Sequence, residues 1–417
     1  MNRRAFTQSA LLTAAGIIGH PVSGFDLVEP STKNGYRLKL EVCTRMFDGK
    51  QCWTHPRAGI VPAMGAQGSP RIVMTMNTLD LAGSDVFKGM YGLHTDNLGE
   101  TWGEPQRLTS LDPKYQMIDG VKRPVAVSDF WPTYHKQSGK LLGTGHTVVY
   151  TPDWKVTHPR PRHTSFSVYD PENNQWAAWK KMQMPDTGTF HDAGAGCTQR
   201  YDAKDGTLLL PIYFRPPGKS SQVTVARCSF DGESLEYLAH GNVLGIEDET
   251  RGLHEPSLTR FNGEYFLTIR NDQRGFVTRS GDGLQFESIK EWSFDDGQPL
   301  GNYNTQQHWV THHRALYLVY TRRGAQNDHV FRHRAPLFMA EVDVDKLCVI
   351  RDTEQILVPE RGARLGNFGV TQISANETWV TVSEWMQPQG VEKYGSDGSV
   401  YVARILWEQP NELAVGD

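Results

Sequence analysis

Histidine and arginine recur in this 417-residue chain inside short strings punctuated by glycine, proline and aspartate. HDAGAGCTQRYD, His191 to Asp202, sets an imidazole and a carboxylate beside two glycines and leads into the apolar run TLLLPIYF. CWTHPRAG carries Trp53, His55 and Arg57, and FWPTYHKQSGKLLGTGHTVVY carries Tyr134, His135 and His146. TRGLHEPS carries Arg251, His254 and Glu255, and NYNTQQHWVTHH carries His308 and His312. RRGAQNDHVFRHR carries His329 and Arg334, and GARLGNFGV carries Arg364 and Asn367. An imidazole with an ordinary pKa of about 6.5 moves protons at neutral pH. An arginine fork grips a planar carboxylate at two points. Asp192 and Glu255 stand next to histidines, where a carboxylate fixes a tautomer or acts as acid or base. These residue types fit proton transfer beside an anionic, polyhydroxylated ligand, with Trp53, Trp131, Trp309 and Tyr303 offering faces on which sugar rings stack.

His55, His146 and His191 are therefore the catalytic candidates. Arg57, Trp53, Tyr134, Arg251, His254, Glu255, His308, His329, Arg364 and Asn367 are the candidates for substrate binding. The chain has no phosphate-cradling glycine loop, no HExxH, no EF-hand loop and no GxSxG elbow. No cofactor is required by this reading, a structural calcium ion is compatible with it, and no metal ligands are assigned. Five cysteines without CxxC spacing argue against a thiolate zinc site, while a disulfide such as Cys43 with Cys52 is permitted. A formal charge of -4, from 43 basic and 47 acidic side chains, argues against nonspecific nucleic-acid binding.

The elements that must carry these residues are strands. RIVMTMNTL, TSFSVYD, TLLLPIYF, QVTVARCSF, EYFLTIR, ALYLVYTRR, LFMAEVD and TWVTVSEW are short, rich in Val, Thr, Tyr and Phe, and bounded by turn residues. Long helical periodicity is almost absent, so the fold class is all-β. LHTDNLGETW fits the Asp-box pattern, in which polar side chains cap a β-turn, Gly supplies its geometry and Trp packs between sheets. RSGDGLQF is a shortened copy through Ser280, Asp282 and Gly283, and SVYDPENNQW repeats the logic through Asp170 and Trp176. Repeated hairpins of this kind predict a β-propeller of four-stranded antiparallel sheets, with seven blades as the expected count. Asp96 is expected to turn toward its own hairpin and Trp102 to be buried at a blade edge. In such a ring His135, His312, His313 and His333 read as plugs between blades, and Arg322, Arg323 and Arg332 as interblade ion pairs. MNRRAFTQSALLTAAGIIGHPVSG reads as a twin-arginine export signal over residues 1–25. One propeller domain then spans 26–417, in the periplasm or secreted, without membrane insertion.

The leader, the Asp boxes and the strings CWTHPRAG, LLGTGHTVVY, GLHEPSL and GARLGNFGV resemble the secreted sialidase-like seven-bladed propellers that cleave rhamnose linked to glucuronic acid. That group is similar in fold to the ulvan-lyase propellers. The resemblance implies an exo-acting enzyme on plant or algal glycans capped by rhamnose on a uronate, and the abundance of His and Arg over isolated carboxylates points to β-elimination at L-rhamnose-α-1,4-D-glucuronate. The partner expected is an oligosaccharide or polysaccharide containing uronic acid, and the chain is expected to be a monomer. A hydrolase of the α-L-rhamnosidase type on the same linkage and a non-catalytic glycan-binding propeller are the alternatives. His55 aligns with the histidine central to that chemistry, and Arg57 or Arg364 is expected on the uronate carboxylate. The rate is then expected to rise through roughly pH 6 to 7 as a histidine base deprotonates. His191 is expected on a channel-facing strand end. Sialic acid hydrolysis is disfavoured, because no tyrosine–glutamate nucleophile pair is evident.

Overall fold

Strands rich in β-branched and aromatic residues, cut at short intervals by Gly, Asp and Asn, leave little for this chain to form but antiparallel hairpins. The computed structural model describes residues 35–416 except 84, 159, 186 and 187. The leader expected over 1–25 lies outside the described residues. Among those described, no helix is long and apolar enough to cross a membrane.

Six sheets form, stepping outward from an inner strand in chain order, except that Lys114–Ile118 hairpins onto the inner strand of the second sheet from before it. Their inner strands are Gln51–Val61, Val121–His135, the interrupted pair Ala193–Gly194 and Tyr201–Asp202, His254–Phe261, His308–His312 and Arg364–Ser374. The sixth blade takes its outer strand from the other end of the described chain: Tyr36–Arg45 pairs antiparallel with Ser399–Trp407. Apolar clusters fill all six interfaces in turn. Val73 and Val125 share one cluster, Leu142 and Leu210 a second, Val225 and Leu258 a third, Phe266 and Leu318 a fourth, Val310 and Val380 a fifth, and Trp379 and Met74 a sixth. The last interface joins the sixth blade to the first, so the described ring closes with six blades where seven were expected. The second, fifth and sixth blades consume more chain than a minimal repeat, because their loops between second and third strands are long, at 150–163, 321–336 and 386–398.

The Asp-box turns sit between third and fourth strands. Asn97 Oδ1 accepts the Thr101 amide at 3.0 Å, and Thr95 Oγ1 accepts the Gly99 amide at 3.0 Å. Asp282 Oδ1 likewise accepts the Leu284 and Gln285 amides, and Asp170 Oδ1 the Glu172 amide. Asp96 takes no part in capping; its carboxylate pairs with Arg71 at 2.7 and 3.0 Å, leaving Asn97 as the turn residue. Trp102 is half-buried against Trp379. Asp231 and Asp343 cap the corresponding turns of the third and fifth blades. The sixth blade has no such turn, because its fourth strand arrives from Tyr36–Arg45.

One irregularity repeats around the axis. His55, Asp129, Cys197, Glu255, Asn304 and Asn367 each adopt a left-handed backbone, with φ between 45° and 58°. Positive φ is uncommon outside glycine. Pairing registers shift at four of these points, between Thr54 and Arg57, Ser128 and Trp131, His254 and Ser257, and Gly366 and Gly369. Each is a bulge that re-aims one side chain from the inner edge of its sheet.

Candidate functional site

A cavity of about 300 Å³ opens at the end of the ring where the inner strands begin. Its floor takes His55, Asp129 and Glu255 from the bulges, together with Asn304. Its walls come from second strands, through His146 and Tyr213, and from loops between second and third strands, through Asp85, Arg160, Arg162, Asp272, Arg332 and Arg334. The fold thus supplies two tiers, a floor of bulged residues and a rim of loop arginines.

Asp129 is the centre of the floor. Its Oδ1 accepts the Asn367 amide at 2.9 Å and the Cys197 thiol at 2.8 Å, with Arg57 Nη1 at 3.5 Å and His55 Nδ1 at 3.3 Å. Its Oδ2 faces His146 Nε2 at 3.5 Å. Burial alone would raise this carboxyl, but His55, Arg57 and His146 outweigh it and hold the pKa well below the usual range. Burial pulls His55 down to about 4 and His146 down to about 3, against the opposing charge of Asp129. Both imidazoles are therefore neutral near pH 7.

His146 continues the line outward. Its Nδ1 lies 2.8 Å from the Tyr213 hydroxyl, and the Arg162 guanidinium sits 4.5 Å over the Tyr213 ring. Burial raises the Tyr213 pKa while Arg162 opposes the rise. Asp129, His146 and Tyr213 stand in a carboxylate–imidazole–hydroxyl series, joined by a hydrogen bond between imidazole and hydroxyl and by an ionic contact at 3.5 Å between carboxylate and imidazole, an order in which an acid can orient a base and the base a hydroxyl. His55 ends differently: Asn367 Nδ2 lies 2.9 Å from its Nε2, so both ring nitrogens face protein groups.

The arginines divide into two sets. Arg160 pairs with Asp85, Arg162 with Asp192, Arg251 with Asp272 and Arg270 with Glu255. Arg332, Arg334 and Arg364 pair with no carboxylate among the described residues. Arg364 is held by Gln387 Oε1 at 2.7 Å and by the ring of Trp385 at 4.4 Å. Burial, then the charge of Arg332, pulls it down to about 10. Burial and the charges of Arg270, Arg364 and Arg332 depress Arg334 well below its ordinary value. Three cations that repel one another in a half-enclosed cavity make an anion site.

The cavity brings together His55, His146, Arg251, His254, Glu255 and Arg364, with Asn367 touching its floor from behind. The remaining sequence candidates lie elsewhere. His191 is exposed, its Nδ1 near the Gly188 carbonyl at 3.3 Å, and Asp192 grips Arg162 rather than orienting His191. The glycines of HDAGAGC serve His146 instead: a Cβ on Gly196 would lie 2.1 Å from His146 Nδ1, and one on Gly194 2.8 Å from His146 Cβ. Arg57 is fully buried beneath the cavity, bonded to the Phe368 carbonyl and Cys197, so it supports Asp129 and does not reach a ligand. Trp53 packs between blades against Tyr91, and Tyr134 is half-buried beside the cluster joining the first two blades. His308 is fully buried between Trp131 and Phe368, bonded to Ser257 Oγ at 2.7 Å. His329 is exposed and pairs with Glu360. Trp131 and Trp309, expected as sugar platforms, are buried in packing. His135 and His312 are the plugs expected, bonded to the carbonyls of Gly206 and Gln409. Arg332, expected in an interblade ion pair, lines the cavity.

The sequence reading missed Asp129, Tyr213, Arg162, Arg270 and the role of Arg332. Asp129 had a signal: SDFW stands in its blade where THPR, HEPS and GNFG stand in theirs, a polar residue followed by Pro or Phe at the bulge. Tyr213, inside TLLLPIYF, reads as a core residue because its neighbours are. No group of three or more His, Cys, Asp or Glu side chains among the described residues is arranged to hold a metal ion, and all five cysteines, Cys43 and Cys52 included, are free.

The sequence matches no protein-family model and no curated protein. Solved structures do match its fold. A protein of unknown function from Dyadobacter fermentans DSM 18053 aligns with TM-score 0.59 at 12% identity, over 90% of this chain and 100% of that one. The Hadza microbial sialidase Hz136 aligns with TM-score 0.56 at 11% identity, over 84% of this chain and 65% of that one. The NanB sialidase from Streptococcus pneumoniae aligns with TM-score 0.58 at 10% identity, over 87% of this chain and 70% of that one. The chain thus spans just under two thirds of the Hz136 chain. What these likenesses show is that the chain has a sialidase-like β-propeller fold.

Proposed function

We propose that this protein is a carbohydrate-active enzyme that cleaves a glycosidic bond next to a uronic acid, with L-rhamnose-α-1,4-D-glucuronate as the linkage and β-elimination as the reaction. The observation that carries the reading is the Asp129–His146–Tyr213 series standing in one cavity with three arginines that pair with no carboxylate among the described residues. A uronate carboxylate bound by Arg332, Arg334 and Arg364 has its charge neutralised, which acidifies the proton on the adjacent ring carbon, C5. The Tyr213 oxygen takes that proton while passing its own to His146 Nδ1. Asp129 holds the resulting imidazolium through Nε2. The C5 electron pair forms the C4–C5 double bond as the C4–O bond breaks. The departing oxygen takes the proton back through Tyr213, leaving rhamnose and an unsaturated uronate. His55, its Nε2 taken by the Asn367 amide and its Nδ1 facing Asp129 Oδ1 at 3.3 Å, braces Asp129 and does not receive the proton itself.

Hydrolysis of the same linkage is a second reading, favoured by the sialidases among the fold neighbours and by a buried carboxylate, Glu255, on the cavity floor. Incubation with rhamnosyl-glucuronate oligosaccharides separates the outcomes. Free rhamnose together with the ultraviolet absorbance of an unsaturated uronate is the result expected. Free rhamnose without that absorbance supports the hydrolase, and oligosaccharide bound but unchanged supports a binding module.

A further inference from the structure

Cys197 stands at the third blade's left-handed position, where the other blades place His55, Asp129, Glu255, Asn304 and Asn367. It is fully buried, and its backbone amide donates to the Asp129 carbonyl at 3.2 Å. Its Sγ lies 2.8 Å from Asp129 Oδ1 and accepts from Arg57 Nη2 at 3.1 Å. The sulfur therefore stands between the site's central carboxylate and the cation beneath it. Arg57 spends its Nε on the Phe368 carbonyl and its Nη2 on the sulfur, and approaches Oδ1 only at 3.5 Å.

We propose that Cys197 is a positioning residue whose thiol donor, with the Asn367 amide, saturates Asp129 Oδ1 and so turns Oδ2 toward His146. Without that donor a carboxylate rotates freely between its neighbours or closes on Arg57 as an ordinary ion pair. Either change alters the charge that the imidazoles feel. The thiol stays protonated for this role, since burial and the charges of Asp129 and Glu255 hold its pKa well above the usual thiol range. Such a cysteine is a hydrogen-bond donor and not a nucleophile. The groups facing the series from every side are His55, Arg57 and Asp85 on the first blade, Arg160 and Arg162 on the second, Tyr213 on the third, and His254 and Glu255 on the fourth.

The inference shares the site of the proposed reaction, and its test needs no substrate. Imidazole NMR of the full chain follows the protonation midpoints of His55 and His146 in the parent and in Cys197→Ala and Cys197→Ser. With its donor gone, Asp129 Oδ2 turns away from His146 and the carboxylate closes on Arg57, so the negative charge that had been raising the His146 midpoint is lost and that midpoint falls by about one pH unit in Cys197→Ala. Cys197→Ser restores a donor and returns it to the parental value. A His146 midpoint that stays or rises in a folded Cys197→Ala protein overturns the proposal, as does a Cys197→Ser protein shifted as far as the alanine variant, which would mark a packing role. Should the alanine variant not fold, the serine variant decides: parental midpoints sustain the proposal and displaced ones overturn it. On rhamnosyl-glucuronate, Cys197→Ala is expected to lower kcat about 10-fold with KM unchanged. Shifted midpoints in a protein that cleaves no such glycan would remove the proposed activity and leave the positioning role standing.

Discussion

At Tyr213 one oxygen decides the chemistry proposed, because it is the member of the Asp129–His146–Tyr213 series that faces the ligand space. Tyr213→Phe removes that oxygen and leaves the ring beneath Arg162. Turnover of rhamnosyl-glucuronate should fall by about 10²- to 10⁴-fold, the range for loss of a general acid–base group, with the thermal midpoint nearly unchanged. Activity within a few-fold of parental in a folded protein would remove Tyr213 from the mechanism. The histidines also set a pH signature. An unperturbed imidazole base gives a rate that rises through roughly pH 6 to 7. Burial pulls His55 to about 4 and His146 to about 3, so both remain neutral well below that range. The acid limb of kcat/KM is therefore expected near pH 4 or below, and a limb at pH 6 to 7 would show that a different histidine controls the reaction.

A whole strand segment is shaped to admit one imidazole. Gly194 and Gly196 line the inner edge of the third blade where His146 of the second blade lies against it. A methyl group at Gly196 would meet His146 Nδ1 at 2.1 Å, the atom that bonds Tyr213. Gly196→Ala should cost about 1–3 kcal/mol in chemical denaturation, the usual range for overpacking. It should also cut turnover by about 10²-fold, because the base is displaced from its hydroxyl. Parental activity in that variant would mean that His146 has room elsewhere and that the close approach is incidental. The bulges act at the same scale. A single left-handed residue in each blade, in or beside its inner strand, recurs in unrelated sequence and aims His55, Asp129, Glu255 and Asn304 into the cavity, at a cost of order 1–3 kcal/mol each that the ring's packing offsets.

Across the molecule, buried neutral histidines couple stability to pH. His55, His146, His254 and His308 are all buried, and burial lowers the pKa of each below its ordinary value. As pH falls from about 6.5 toward 4, their unfolded counterparts take up protons that the native imidazoles refuse, so the unfolded state is favoured. Asp129 adds to the loss below about pH 4, since its native pKa lies under the unfolded value. The urea midpoint should therefore drop steadily between pH 7 and pH 5, while few ordinary carboxylates have yet protonated. A midpoint constant across that interval would mean that these histidines are not held neutral in the folded ring.

Strand composition and turn chemistry are local properties, and they alone specified an all-β chain, antiparallel hairpins and radial repetition, through Asn97, Asp282 and Asp170 at turns that close within a few residues. His55, His146, His254, Glu255, Arg364 and Asn367 were legible as site candidates because each stands next to a turn residue or bulge whose spacing is visible along the chain. Blade number was not legible, since it depends on how much chain each loop consumes before the ring closes on Tyr36–Arg45. Nor was the split between His146 and His191. Both sit in glycine-bearing strings, and only the packing of one blade on the next aims the first into the cavity and leaves the second at the surface. Asp129, Tyr213 and Arg334 meet from three different blades. Their partnership arises from left-handed bulges and the angle between sheets, long-range geometry that spacing along one strand does not encode.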